Sequence, residues 1–161
     1  MEQKYAAPIE KVFALLTDPR WLQERSAELG EISAKVKAKK GGGGVVLAMN
    51  RRVRRDLPAL VAKVLSTEAD LVFEETWSAA AEDGSRTGTL TMEAVGQPVK
   101  MTATFELAPA GKGCVYRIKH TCKSSVPIIG GVVERFAQGQ VESGCADEFA
   151  YMVAYLKTHK K

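Results

Sequence analysis

His120, Tyr116 and Glu75 are the residues of this chain whose types and positions could do acid–base chemistry. An imidazole with an ordinary pKa of about 6.5 can give or take a proton near neutral pH, and a positioned carboxyl or phenol can do the same work. No serine or cysteine is paired with His120 by a recognisable motif, so nucleophilic catalysis is not indicated. A lone inward histidine is more often a satisfied pocket group than a catalyst. His159, in a lysine-rich tail, reads as a solvated end.

Other chemistries are excluded by count and spacing. Cys114, Cys122 and Cys145 are odd in number and lack the close pairs of a zinc site, so they read as buried thiols rather than a disulfide framework. Two histidines and scattered carboxylates make no metal-ligand set, and no metal or other cofactor is expected. Gly41 to Gly44 lacks the Lys-Ser/Thr of a phosphate loop and reads as a flexible connection between two strands.

The 161 residues are 45% hydrophobic and 26% charged, the balance of one globular domain over 1–161 with enough chain to bury a core and leave room for a pocket. The net charge of +4 is uneven: between Glu31 and Arg55 eight basic residues stand against Glu31 alone. No aromatic residue is interleaved among those eight, so a stacking platform for nucleic acid is not expected, although weak attraction to an anionic membrane surface is compatible with them. The first residues have no secretory pattern, and the longest uncharged run, Ser124 to Val133, is too short to span a bilayer, which implies a cytoplasmic protein.

These residues must be positioned by an α+β arrangement. Pro8 opens a helical pattern with Val12, Phe13, Leu15 and Leu16. Asp18 and Pro19 are suited to cap and start a second helix, with Trp21, Leu22, Arg25 and Leu29 at helical spacing and Gly30 as its stop. From Glu31 the period becomes two: Ile32, Ala34, Val36 and Ala38 alternate with Ser33, Lys35, Lys37 and Lys39, so the lysines form the wet face of a strand, and Val45 to Arg54 is its return. Leu57, Leu60, Val61, Val64 and Leu65 predict a short amphipathic helix after Pro58. Strands follow over Leu71 to Ser78, Arg86 to Val95, Val99 to Ala108 and Cys114 to Lys123, joined by short turns and therefore antiparallel. Ile129 to Thr158 predicts one long helix with Val133, Ala137, Val141, Cys145, Phe149, Met152 and Leu156 on its buried stripe.

Alternation then selects the inner faces. Met101, Ala103 and Phe105 share one with Val99 and Leu107, and Tyr116, Ile118 and His120 share the next with Cys114 and Cys122. Leu90 and Met92 point inward, as do Phe73 and Trp77, whose side Glu75 shares; that acid is either exposed at a bulge or buried with a partner such as His120, Tyr116 or an arginine. From the long helix, Val133, Phe136, Ala137 and Val141 complete the candidate cavity wall. Gly139, Ser143 and Gly144 lower helix propensity, which implies either close approach to the sheet or space left for a ligand. Pro127 and Gly130-Gly131 are candidates for its mouth, together with the segment after Pro58.

This order of elements resembles the helix-grip fold of the START-like (SRPBCC) superfamily, which includes Bet v 1 and polyketide cyclases. The stretch Ala7-Pro8-Ile9-Glu10-Lys11-Val12-Phe13-Ala14-Leu15-Leu16-Thr17-Asp18-Pro19 is similar to the opening helix of that superfamily. Asp56-Leu57-Pro58, Glu75-Thr76-Trp77, Gly96-Gln97-Pro98 and Pro127-Ile128-Ile129-Gly130-Gly131 followed by Glu134 resemble an uncharacterised bacterial branch. The resemblance implies a curved antiparallel sheet of six or seven strands around the long helix, and an apolar cavity for a lipid, polyketide or similar molecule. It implies no shared catalytic set. The leading expectation is a non-catalytic binder or carrier. The alternatives are a cyclase-like enzyme using His120, Tyr116 or Glu75, which requires those groups to converge, and a membrane-surface module using the basic segment.

Overall fold

The computed structural model describes residues 1–159. Strand β1 (Glu2–Tyr5) leads into helices α1 (Ile9–Leu16) and α2 (Pro19–Glu28), followed by β2 (Ser33–Gly41), β3 (Gly44–Arg54), β4 (Glu68–Trp77), β5 (Arg86–Ala94), β6 (Val99–Ala110), β7 (Gly113–Ser124) and helix α3 (Gly130–Thr158). The seven strands form one antiparallel sheet in the order β1-β7-β6-β5-β4-β3-β2. The chain meanders from β2 to β7, and β1 then adds beside β7.

Local chemistry accounts for most boundaries. The Asp18 carboxylate accepts from the Arg20 and Trp21 amides at 2.9 and 3.4 Å, and Pro19 follows at a position where its missing N–H costs nothing. Gly30 ends α2 at φ +84°, a left-handed geometry that side chains disfavour. The β2–β3 connection is tighter than expected. Gly41 pairs with Gly44, while Gly42 and Gly43 have φ of +58° and +80°, the positive values of a two-residue hairpin turn. The helix expected after Pro58 shrinks to a single 3-10 turn at Val61–Lys63. Two apolar-spaced turns are too few to repay helix nucleation alone.

Strand β2 is one edge of the sheet, and its lysine-rich face suits an edge that must not recruit other strands. Helix α2 lies against it, and the Gln23 side-chain oxygen accepts the Val36 amide at 2.9 Å. The inner face of β2 contributes less core than alternation predicts: Val36 is buried, but Ile32 lies outside the strand and is 48% exposed, and Ala38 is exposed near the hairpin tip.

The register aligns the inner residues into cross-strand rows. One row runs Val36, Met49, Phe73, Met92, Met101, Cys122; the next runs Leu47, Glu75, Leu90, Ala103, His120; a third runs Val45, Trp77, Gly88, Phe105, Ile118. In the third, Gly88 has a steric reason. A Cβ there would collide with the Phe105 ring and approach the Thr76 carbonyl oxygen to 2.7 Å, so the missing side chain lets the Trp77 and Phe105 rings meet at 4.8 Å. Phe13 of α1 packs edge-on against Trp77 at 5.5 Å, sealing this end of the core.

Candidate functional site

Between the curved sheet and α3 lies a cavity of about 230 Å³. Its wall is mainly apolar: Met49 and Phe73 from the central strands, Leu90, Met92, Met101 and Ala103 beyond them, and Phe136, Ala137 and Val141 from the helix. Phe105, Tyr116, Ile118 and His120 also reach it. Ser66 and Thr67, both exposed, line the opposite end with Leu57, Leu65 and Gln97, which places the opening beside the β3–β4 loop.

Two residues expected on this wall are elsewhere. Trp77 is 2% exposed, enclosed by Phe13, Phe105 and Tyr116, and belongs to the solid core. Val133, completely buried, packs near the start of α3 without reaching the cavity. The mouth expected at Pro127 and Gly130-Gly131 also lies off the wall, whereas Leu57 and Leu65 near the 3-10 turn are on it. Gly144 lines the cavity, and a Cβ there would have nothing within 4 Å; its small size leaves space and does not serve close helix–sheet contact. Gly139 faces solvent.

The histidine and the acid that could exchange protons lie in two different places. His120 lies at the β7 end of its row, with an Nε2 that is buried and has no hydrogen-bond partner among the described residues. Glu75 lies in the same row on β4, three strands away, with Leu90 and Ala103 between them. Strand spacing makes that roughly 14 Å along the sheet. His120 and Glu75 therefore do not form an acid–base pair, and apolar groups fill the interval. His159 stacks on Tyr155 at 4.0 Å on the exposed end of α3.

Glu75 is buried, and its carboxylate accepts the Trp77 indole N–H. Burial pushes its pKa up to about 7; the indole hydrogen bond and the charges of Arg25 and Arg51 oppose that rise, while Glu148 adds to it. Tyr116 is held far above the ordinary range of a phenol, first by burial and then by the nearby Glu75 charge.

Beside Glu75 stands an ion network that the sequence reading did not include in the cavity. Arg51, on the inward parity of β3, donates from Nε to Glu31 at 2.9 Å and from Nη2 to Glu148 at 3.1 Å. Arg25 of α2 reaches the same Glu148 at 3.2 Å. Arg51 also lies over the Phe73 ring at 5.1 Å, and Arg25 over Trp21 at 5.5 Å. Burial acts to raise the Glu148 pKa, yet Arg25 and Arg51 together hold it below the ordinary value. Burial likewise pulls Arg51 down, and Glu148 and Glu31 outweigh it, so Arg51 stays charged. Arg25 is only 7% exposed, lines the cavity, and keeps an Nε–H that no described residue accepts.

The remaining inventory is quiet. The three cysteines are free; burial raises Cys114 to about 11, and raises Cys145, on the cavity wall, to about 12. No cluster of three metal-ligating side chains occurs among the described residues, and no described helix is long and apolar enough to cross a membrane.

A curved antiparallel sheet gripping one long carboxy-terminal helix, with two short helices after the first strand, defines a helix-grip fold of the Bet v 1-like, START-like kind. Within that class the chain belongs to the family described as protein of unknown function (DUF2505), whose pattern matches residues 1–156. No curated protein sequence matches it. Among solved structures, Ara h 8.0201 is similar with a TM-score of 0.57 at 15% identity, covering 99% of this chain and 96% of that one. Protein Ms6760 from Mycobacterium smegmatis gives 0.57 at 15% identity, covering 98% and 88%. A norcoclaurine synthase point mutant from Thalictrum flavum, in complex with a transition-state analogue, gives 0.53 at 20% identity, covering 98% and 93%. These likenesses establish the fold.

Proposed function

We propose that this protein binds a small, predominantly apolar molecule in the cavity between its sheet and α3, as a binder or carrier and not as an acid–base catalyst. The observation that carries the reading is the cavity itself: it is walled by methionine, aromatic and aliphatic side chains, interrupted by a few polar groups, and open at one end. An apolar cavity of about 150 Å³ accommodates benzene, so about 230 Å³ suits a molecule of about ten heavy atoms, or a longer one whose tail leaves by the opening. The separation of Glu75 from His120 argues against a cyclase-like reaction that needs both at one point. Norcoclaurine synthase, a likeness in fold, forms a complex with a transition-state analogue, so a protein of this fold does take a small molecule.

The test is titration with an uncharged fluorescent naphthylamine probe. Wild type should bind it with enhanced, blue-shifted emission. Ala103→Trp, which fills the cavity from β6, should weaken binding at least about tenfold, the size of effect expected when an occupied apolar site is blocked. Thr104→Trp, one residue along and on the outer face, should bind as wild type does. Equal binding by wild type and Ala103→Trp would overturn the reading.

A further inference from the structure

The cavity is apolar along most of its length but ends in an unusual corner. Arg25, Arg51, Glu31 and Glu148 form two cations and two anions joined by ion pairs, so their charges cancel. Two capacities are left over. One is the Arg25 Nε–H, more than nine-tenths buried and without an acceptor among the described residues. The other is the Glu75 carboxyl, whose hydrogen-bond partner among them is the Trp77 indole.

A buried guanidinium N–H without an acceptor is costly unless something supplies an oxygen. Water would satisfy it, but so would a ligand group that also satisfies the apolar wall. We propose, building on the cavity-binding reading above, that the bound molecule is an apolar monocarboxylic acid whose carboxylate lies at this corner, accepting from the Arg25 Nε–H and from a protonated Glu75.

The charge count selects a carboxylate with proton uptake. The four network charges cancel, and Arg55, a further cation on the wall, is bonded through its amide to Thr67 at the opening and is not among the groups that act on Glu75, so an anion arriving at the corner has Glu75 as its uncompensated like-charged neighbour. Two adjacent carboxylates share a proton more readily than they hold two charges. The groups facing Glu75 are Arg25 from α2, Arg51 from β3, Glu148 from α3, Tyr116 from β7 and the Trp77 indole on its own strand. Both arginines are already matched by acids, and Tyr116 stays a neutral phenol, so Glu75 is the group that takes the proton. With Glu75 free at a pKa of about 7, affinity for the anion should fall about tenfold between about pH 6 and about pH 8, and binding at the upper pH should take up about one proton. An alcohol of the same length adds no charge and should show neither effect.

Octanoate and 1-octanol, each of about ten heavy atoms, are the probes, measured by titration calorimetry on the full chain in buffers of different ionisation enthalpy. Octanoate should bind more tightly than 1-octanol at the lower pH, with the tenfold pH effect and proton uptake in wild type. Glu75→Gln keeps an acceptor for Trp77 and a donor for the ligand, so it should still bind octanoate but lose both the pH dependence and the proton uptake. Arg25→Lys retains a cation for Glu148 but removes the Nε–H, and should weaken octanoate about tenfold while changing 1-octanol less than about twofold. If 1-octanol and the naphthylamine probe bind but octanoate binds no better and takes up no proton, this inference is overturned and the cavity reading stands. If none of the three binds, the cavity reading itself fails.

Discussion

Arg51 and Arg52 are adjacent on β3, yet strand alternation sends them to opposite faces and into ion networks of different construction. On the outer face Arg52 pairs with Glu68 and Asp70, and Arg54 with Glu68, residues that lie directly opposite on β4 or two residues along it on the same face. On the inner face Arg51 lies opposite Leu71, which offers no charge, so its acids come from the α2–β2 connection and from α3. The outer network follows from register alone. The inner one joins α2, β3, α3 and a loop, and so fixes how the long helix sits on the sheet.

Removing one member should expose that difference most strongly. Glu148→Ala leaves Arg25 and Arg51 without their shared acid while both remain largely shielded from water, and it should cost about 3 kcal/mol or more in urea unfolding. Glu68→Ala on the outer face should move the urea midpoint far less, since water solvates the released arginines. A Glu148→Ala variant as stable as wild type would show that the inner pairs do not hold the helix.

Glu75 sharpens the comparison because it lies within the inner cluster without a cation of its own. Its folded pKa of about 7 stands above the ordinary 4.5 of the unfolded chain, so folding takes up a proton between those values. Stability should therefore fall as pH rises through that window and level off above it. Glu75→Gln removes the titration. Its stability relative to wild type should rise between about pH 4 and about pH 8, by up to about 3 kcal/mol, in urea unfolding at both ends. A constant difference would mean that the cavity solvates the carboxylate.

The strands, the three helices and most of the cavity wall, though not Trp77, Val133 or the mouth, were legible because they depend on period. The alternation in Met101, Ala103 and Phe105, or in Tyr116, Ile118 and His120, separates inner from outer without any partner being known. What escaped was the inner network, because a charged side chain reads as solvated, Arg51 all the more so for standing in a basic run. Parity held the signal: Arg51 shares its side of β3 with Leu47, Met49 and Val53, and Arg25 lies one turn beyond Trp21 and Leu22 on the buried face of α2. The acids that justify these placements are distant in sequence, Glu148 lying 97 residues from Arg51, so nothing local identified them. The Gly88 gap was likewise illegible, since it is explained by a ring on the neighbouring strand.

Salt should provide the smallest effect and the cleanest discrimination. The side chains of Arg52, Glu68, Asp70 and Arg54 are 42, 32, 57 and 70% exposed, whereas those of Arg25, Glu31, Arg51 and Glu148 are 8, 5, 14 and 21% exposed. Ions in solution reach the first set and are largely excluded from the second. Whatever small loss Glu68→Ala shows at low ionic strength should vanish at about 0.5 M sodium chloride, where screening acts within a few ångströms. The Glu148→Ala loss should persist at the same salt, because desolvation of the stranded Arg25 and of an Arg51 left with Glu31 alone, and not long-range attraction, makes up most of it. Equal salt sensitivity in the two variants would mean that water and ions reach the inner corner freely, and the unsatisfied Arg25 Nε–H would then need no ligand to complete it.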